Sequence, residues 1–168
     1  MNGWKTRTET SQDAAGVRRV LQAAFPTAEE ADLVEALRRD AAWLPGLAWV
    51  AEGPGGEVAG YALLTRCHVG DVPALALGPV AVLPAFQRKG VGEAVTTAAL
   101  RAAKQQGERL VIVLGHPEYY PRFGFTRASG FGIGVSFEVP DEALMALVLD
   151  EGADVPRGVV RYPAPFGV

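Results

Sequence analysis

The stretch from Gly78 to Gly92 reads GPVAVLPAFQRKGVG and joins an apolar strand to a helix through a basic loop that contains glycine. The pattern predicts a strand over 74–82 and a helix from Val91 to about Gln106. The first amides of a helix have no partner within the helix, and the helix dipole favours negative charge there. Because glycine lets a ligand approach the backbone, this loop predicts a site for a phosphate or diphosphate.

Other phosphate-binding loops fit this stretch less well. A P-loop needs a Gly-Lys-Ser/Thr sequence, which the chain does not contain. A dinucleotide fingerprint needs an acidic residue about 20 positions further on, at the end of the next strand. That strand ends at Leu114 and Gly115 without an acid. Taken alone, the glycine pair also fits an ordinary tight turn before a helix.

The segments around this stretch alternate between strand and helix patterns. Thr27 to Glu30 has the pattern of a capping box and opens a helix to about Arg39. Residues 144–149 fit either a strand or a helix, and we interpret them as a strand. The remaining predictions are strands over 4–10, 47–52, 58–65, 109–114 and from Phe125, with helical segments from Ser11 and over 118–123. The strands over 74–82 and 109–114 are predicted to be parallel, because a helix connects them.

Composition favours one compact domain over residues 1–168. The chain has 168 residues, 49% of them hydrophobic, and a domain of this size folds without a metal or disulfide. The single Cys67 and an N-terminus without a secretory pattern favour a cytoplasmic location. No apolar run approaches the ~20 residues of a membrane helix. The net charge of −3, with scattered basic residues, argues against nucleic acid. We therefore expect no metal, membrane or nucleic-acid partner.

Two ordered motifs carry a resemblance to a known family. The stretch Val80–Gly92 resembles the central acetyl-CoA motif of the GNAT N-acetyltransferases, Gln/Arg-x-x-Gly-x-Gly/Ala after a strand. The block Tyr119–Phe125, YYPRFGF, resembles the family's short helix with a tyrosine that leads to Gly-Phe. The resemblance implies the GNAT fold, an α/β (α+β) fold with a mixed central sheet, helices on both faces and a splay between the two central parallel strands. Residues beyond about Gly130 match the family only weakly.

The resemblance also implies where the cosubstrate, acetyl-CoA, would bind. The pantetheine arm would lie in the gap between the splayed strands, and Gly78-Pro79 would form the bulge that the family has there, although these two residues also fit an early strand end. The diphosphate would lie on the loop before the helix. The implied cofactor-binding residues are Val80, Ala81, Val82, Gln87, Arg88, Lys89, Gly90, Val91, Gly92 and Tyr120.

Catalysis requires a group that assists the leaving thiolate and a group that takes the amine proton. Tyr120 lies where the family places a tyrosine beside the cofactor sulfur, and we predict that it is the general acid, with Tyr119 as the fallback. The strand over 74–82 has no carboxylate, so one common family position of the base is empty. His116 is the nearest titratable candidate for the base and Glu118 the next. The tyrosines also fit simple packing residues, and the histidine a capping residue.

The function that this resemblance implies is direct transfer of an acetyl group from acetyl-CoA to an amine. A non-catalytic acyl-CoA-binding sensor or accessory module with the same fold stays open, as does a different acyl donor or an oxygen acceptor. The acceptor could be a small molecule or a peptide, because fold and cofactor site do not determine the other pocket. Apolar edge strands in the C-terminal section are compatible with a homodimer.

Overall fold

A mixed sheet flanked by helices forms the centre of the computed structural model, which describes residues 4–168. The strands are β1 (Lys5–Thr8), β2 (Trp43–Glu52), β3 (Val58–Val69), β4 (Val72–Val82), β5 (Leu110–Leu114), β6 (Thr126–Arg127), β7 (Ile133–Gly134), β8 (Leu144–Val148) and β9 (Gly158–Arg161). The α-helices are α1 (Ala14–Ala24), α2 (Glu29–Arg38) and α3 (Val91–Gln105). Short 3-10 turns lie at Ser11–Asp13, Pro84–Phe86, Tyr120–Phe123, Ala128–Phe131, Asp141–Ala143 and Ala164–Phe166.

The main path of the sheet runs in the order β1-β2-β3-β4-β5-β8-β6, with β9 paired to β3 and β7 paired to β9. β4 and β5 are parallel, as predicted from their helical connection, and their neighbours on the main path are antiparallel. The predicted fold class, a mixed sheet with helices on both faces, is confirmed. Among the helices of residues 4–168, none is long and apolar enough to cross a membrane.

The two faces of the sheet carry different layers. α3 covers one face and buries Val91, Val95 and Ala99 against the sheet. α1 and α2 cover the other face, where α1 buries Val17 and Leu21 at helical spacing. A third cluster, beneath residues 128–162, includes Cys67 and Val69 of β3. Because side chains alternate along a strand, these two residues lie on the same face as Leu63, so the third cluster continues the face that α1 and α2 cover. α3 therefore shares its face with Phe125 and the 3-10 turn at Tyr120–Phe123, beside the ends of β4 and β5.

The parallel pair of strands separates before β4 ends. β4 pairs with β5 only from Leu75 to Leu77, while its pairing with β3 continues to Val82. Gly78 and Pro79 stand opposite a single residue of β3, which makes the predicted bulge. The β5-facing edge of β4 beyond Leu77 is therefore left without a strand partner among the described residues.

Several element boundaries differ from prediction. The capping box at Thr27 forms only in part, because the Glu29 amide donates to Thr27 Oγ1 at 3.3 Å while Glu30 Oε1 has no partner within residues 4–168. A corresponding contact forms instead at the start of the first helical segment, where the Thr10 amide donates to Asp13 Oδ2 at 2.7 Å. The predicted helix over 118–123 is a 3-10 turn that begins at Tyr120. The strand interpretation of residues 144–149 is confirmed by β8, which spans Leu144–Val148.

Candidate active site

The loop between β4 and α3 presents the start of the helix as an open edge of amides. Gly90 has φ +84°, a left-handed conformation that glycine adopts without strain, and Arg88 adopts it as well, with φ +64°. The first hydrogen bond at the helix start runs from the Ala94 amide to the Gly90 carbonyl at 3.0 Å. The amides of Val91, Gly92 and Glu93 precede that bond and are available to an anion.

Two contacts hold this helix start against the rest of the protein. A Cβ at Gly60 of β3 would lie 2.6 Å from Val91 Cγ1, so only glycine lets α3 pack this close. The Trp4 indole donates a hydrogen bond to the Lys89 carbonyl at 2.8 Å and meets the Phe86 ring edge-on at 5.6 Å between centroids. Gly60 of β3 and Trp4, which precedes β1, thus hold the loop and the helix start in place.

The last residues of β4 form one wall of a cleft beside this loop. Val80 and Val82 pack against the core on the α3 face, whereas Ala81 lies in the core on the opposite face. The Gln87 side-chain amide donates to the Val82 carbonyl at 3.3 Å and ties the loop to the strand end. The unpaired edge of the strand, its valine side chains and the open helix start therefore meet at one place.

Tyr120 closes the other side of the cleft. Its ring lies so close to Gly115 that a side chain there would collide with it, and it meets the Phe125 ring at 5.9 Å. Burial, with a smaller contribution from Tyr119, raises the pKa of Tyr120 to about 12. The phenol is therefore protonated at neutral pH and available as a hydrogen-bond donor.

Tyr119 is oriented differently from its neighbour. A Cβ on Gly92 would lie 2.9 Å from the Tyr119 hydroxyl, so this hydroxyl lies at the start of α3. The guanidinium of Arg122 stacks on the Tyr119 ring at 4.1 Å from its centroid, and Arg122 Nε donates to the Tyr119 carbonyl at 2.8 Å. Burial raises the pKa of Tyr119, and Arg122 opposes that rise. Of the two tyrosines, Tyr119 is the one whose hydroxyl lies beside the predicted diphosphate loop.

The two candidate bases lie at the end of β5 and are exposed. The His116 carbonyl accepts hydrogen bonds from the amides of Tyr119 at 3.1 Å and Tyr120 at 3.4 Å, so the backbone of His116 supports the 3-10 turn. The side chains of His116 and Glu118 form no hydrogen bond or ion pair within residues 4–168 and face solvent. The role of either side chain as a base stays a prediction.

A buried carboxylate on the opposite face is already fully engaged. Glu9 Oε1 accepts a hydrogen bond from the Tyr61 hydroxyl at 2.8 Å, and its other oxygen pairs with Arg38. Tyr61 lies opposite Ala81 in the register, close to the end of the gap. Because both oxygens of Glu9 are engaged, this carboxylate ties β1, α2 and β3 together and is not a free base.

Most of the predicted site residues come together in the structure. The end of β4, the loop and Tyr119 meet at Gly92, whereas Tyr120 packs on Gly115 at the end of β5 and His116 is exposed just beyond it. Sequence reasoning missed Trp4, Gly60 and Gly115. Gly60 and Gly115 carried no local signal because each makes room for a residue far away along the chain or just beyond the strand end. Trp4, a half-buried aromatic residue before an edge strand, is likewise uninformative until its partner is known.

An acyl-coenzyme A fits the donor set of this cleft. A diphosphate is matched by open helix amides, by glycine at close approach and by positive charge at Arg88 and Lys89. The amides of a pantetheine arm are matched by the unpaired edge of β4. Most of these features are properties of the protein backbone; the positive charge of Arg88 and Lys89 comes from side chains.

Comparison with known proteins gives the family. A model of the acetyltransferase (GNAT) family matches residues 15–125. The N-acetyltransferase YjhQ of Escherichia coli (strain K12), described as uncharacterized, is 36% identical over 135 residues, which cover 77% of this chain and 74% of YjhQ. The chain therefore belongs to the acetyltransferase (GNAT) family, and as a member of it is an acyltransferase.

Two similar crystal structures have a bound coenzyme. The E. coli GNAT family N-acetyltransferase YhbS in complex with CoA has a TM-score of 0.92 and 27% identity, covering 98% of this chain and 92% of that chain. A GNAT family acetyltransferase from Brucella melitensis in complex with acetyl-CoA has a TM-score of 0.81 and 32% identity, covering 99% of each chain. The splayed sheet and the glycine loop thus occur in a fold that these relatives use to hold the coenzyme.

Proposed function

We propose that this protein transfers the acetyl group of acetyl-CoA directly to an amine acceptor. The observation that carries the proposal is the separation of β4 from β5 after Leu77, directly beside the open start of α3. An ordinary parallel pair would keep its ladder to the strand ends, and this one leaves a cleft of the kind that an extended pantetheine arm would fill. Bound acetyl-CoA would supply the activated thioester carbonyl.

The residues of the cleft divide into a binding set and a catalytic candidate. The amides of Val91 and Gly92 would bind the diphosphate, and the free edge of Val80–Val82 would orient the pantetheine arm. Arg88 and Lys89 would add screened positive charge around the phosphates. Tyr120 would point its hydroxyl at the departing sulfur, where negative charge develops during the reaction.

The raised pKa of Tyr120 limits what its hydroxyl does. A thiol has a reference pKa of about 8.5, so complete proton transfer from a phenol with a pKa of about 12 would be uphill by roughly 5 kcal/mol. A hydrogen bond from the neutral phenol to the sulfur stabilises developing charge without that cost. We therefore propose that Tyr120 acts mainly as a hydrogen-bond donor to the thiolate. The proton that the thiolate finally takes up would come from solvent or from the acceptor amine, which loses a proton on acetylation.

The acceptor amine must lose a proton before or during attack, since an alkylammonium has a pKa of about 10.4. Glu9 is engaged by Tyr61 and Arg38, and β4 carries no carboxylate. We propose that His116, exposed at the end of β5, receives this proton through water. Water alone would serve if His116→Ala leaves the pH profile unchanged.

Release of free thiol from acetyl-CoA in the presence of a panel of amines tests the proposed function. The panel includes polyamines, amino acids, lysine-containing peptides and peptides with free amino termini, with matched alcohols as controls. Amine-dependent thiol release, with a product heavier by one acetyl group, supports transfer. Tight binding of acetyl-CoA without turnover on any amine would instead indicate an acyl-CoA sensor.

A further inference from the structure

Two cavities lie over the face of the sheet that α1 and α2 cover. The β7 cavity has a volume of about 680 Å³ and is lined by β7, by the segment that follows it and by Leu144. The α2 cavity has a volume of about 510 Å³ and lies between α2 and residues 165–166. Both volumes are within the range of roughly 300 to 1,000 Å³ that is typical of sites for small molecules.

A row of three aromatic rings connects these cavities. Phe137 lines the β7 cavity, and Phe166 lines the α2 cavity. Tyr162 lies between them, with its ring centroid 6.3 Å from that of Phe137 and 5.3 Å from that of Phe166. All three side chains are half-buried, so this aromatic row keeps part of its surface open to a ligand.

The β7 cavity offers a free carboxylate at one end of the aromatic row. Asp141 accepts hydrogen bonds from Ser129 at 3.1 Å and from Arg127 at 3.3 Å. Glu138 is exposed and forms no salt bridge within residues 4–168. No lysine or arginine lines either cavity in the part of the chain that the structure describes. Glu138 is therefore available to a cation.

The α2 cavity offers carboxylates at the other end. Asp32 pairs with Arg18 at 3.0 Å, whereas Glu29 and Glu30 form no salt bridge among the described residues. Acidic side chains are favourable at a helix start without any ligand. The helix start does not explain Glu30 Oε1, which is buried and has no hydrogen-bond partner within residues 4–168. A buried acceptor without a donor is costly, and a ligand with N–H groups would supply the donor.

We propose that the aromatic row binds a linear aliphatic diamine or polyamine, whose methylene chain lies along the rings and whose ammonium groups reach Glu138 at one end and Glu30 at the other. Methylene groups pack on aromatic rings, and ammonium groups are attracted to ring faces. A peptide fits less well, because its amides would lie on rings that offer them no hydrogen bond. This inference does not depend on the proposed function, since binding to the row needs no coenzyme.

Calorimetric titration of the full-length protein, without coenzyme, with octamethylenediamine and with octylamine tests this site. The two ligands have the same methylene chain, and only the diamine has an ammonium group at each end. Wild type should bind the diamine about tenfold more tightly, because the second ammonium group gains a charge-assisted contact. Glu138→Gln should remove this preference, and so should the double variant Glu29→Gln, Glu30→Gln. Octylamine affinity should stay nearly the same in both variants, since the other end of the row still binds its ammonium group.

Two further variants separate the row from the general acidity of the surface. Glu142 is an exposed glutamate in the 3-10 turn at Asp141–Ala143, and Glu142→Gln, the matched control, should retain the full preference. Phe137→Leu should weaken diamine binding, because leucine keeps an apolar contact but loses the attraction of a ring for an ammonium group.

Equal affinities of wild type for octamethylenediamine and octylamine would overturn the proposal. Equal losses in Glu142→Gln and Glu138→Gln would overturn it as well, since any acidic patch would then attract the diamine. Thiol release from acetyl-CoA is a separate measurement. A failure of the aromatic row therefore leaves the proposed function intact, and absence of acetyl transfer leaves the diamine site intact.

Discussion

Replacement of Gly90 by valine is the sharpest test of the diphosphate loop. Gly90 has φ +84°, so a β-branched residue would strain the backbone by about 1 to 2 kcal/mol. The valine would also displace the amides at the start of α3. Losing charge-assisted bonds from two such amides should weaken CoA binding by about 3 kcal/mol, or about 100-fold.

A matched control isolates strain from loss of the site. Gly56, in the turn between β2 and β3, has φ +83° and open space around its Cα hydrogens. Gly56→Val should therefore cost a similar free energy of unfolding and leave CoA affinity unchanged. Thermal unfolding and calorimetric titration of both variants give the two quantities separately. Equal CoA affinities for folded Gly90→Val and Gly56→Val would remove the loop from the site.

Two further predictions concern the cleft, and a third concerns the ion pair at the start of α1. Lys89→Ala should weaken CoA binding less than Gly90→Val, because Lys89 is a solvated, screened charge; titration at physiological salt would contradict this if the order reversed. Tyr120→Phe should keep affinity within a few-fold and lower turnover up to ~100-fold, whereas Tyr119→Phe should mainly raise the Kd for CoA; thiol-release kinetics showing the opposite assignment would exchange their roles. Arg7 holds the pKa of Asp13 down at about 2. Ionised Asp13 therefore contributes to the free energy of unfolding above about pH 4, and roughly 2 kcal/mol of that contribution should be lost as the pH falls to 2. Denaturant unfolding of Asp13→Asn should lack this acid-dependent loss.

The strand-loop-helix unit could be predicted from sequence because its signals are local. Gly90 and Gly92 lie within a few residues of both the strand and the helix that they connect. The apolar residues before the loop follow a strand pattern, and those after it follow the helical period of 3.6 residues. The bulge at Gly78-Pro79 has the same character, since proline cannot donate a ladder bond. These features depend on the backbone chemistry of adjacent residues and not on contacts between residues that are distant in the chain.

The arrangement of the tyrosines could not be predicted in this way. Two adjacent tyrosines at the start of a 3-10 turn, Tyr119 before it and Tyr120 within it, point in different directions, and the direction depends on where the turn begins. The turn begins at Tyr120, with the amides of both tyrosines bonded to the His116 carbonyl. The identity of the tyrosine that contacts Gly92 therefore follows from the starting point of one short turn.

The misplaced capping box has a similar cause. Thr27 and Glu30 have the right spacing, and so do Thr10 and Asp13, but only the second pair has a neighbouring cation. Arg7 donates to both oxygens of Asp13, at 2.7 and 2.9 Å, and keeps the carboxylate at the helix start. A side chain from the adjacent strand thus supports the cap before α1, and the cap before α2 has no such support among the described residues.

The bond from the Trp4 indole to the Lys89 carbonyl joins positions 85 residues apart in the chain. β1 is four residues long and, among the described residues, pairs with β2 alone, so it forms one edge of the sheet, where strands open more readily than at the centre. Opening of β1 would withdraw Trp4 from the loop, and closing of the loop on a ligand would hold Trp4 in place. Fraying at the sheet edge and ligand occupancy are therefore thermodynamically linked, and CoA should slow amide hydrogen exchange in β1.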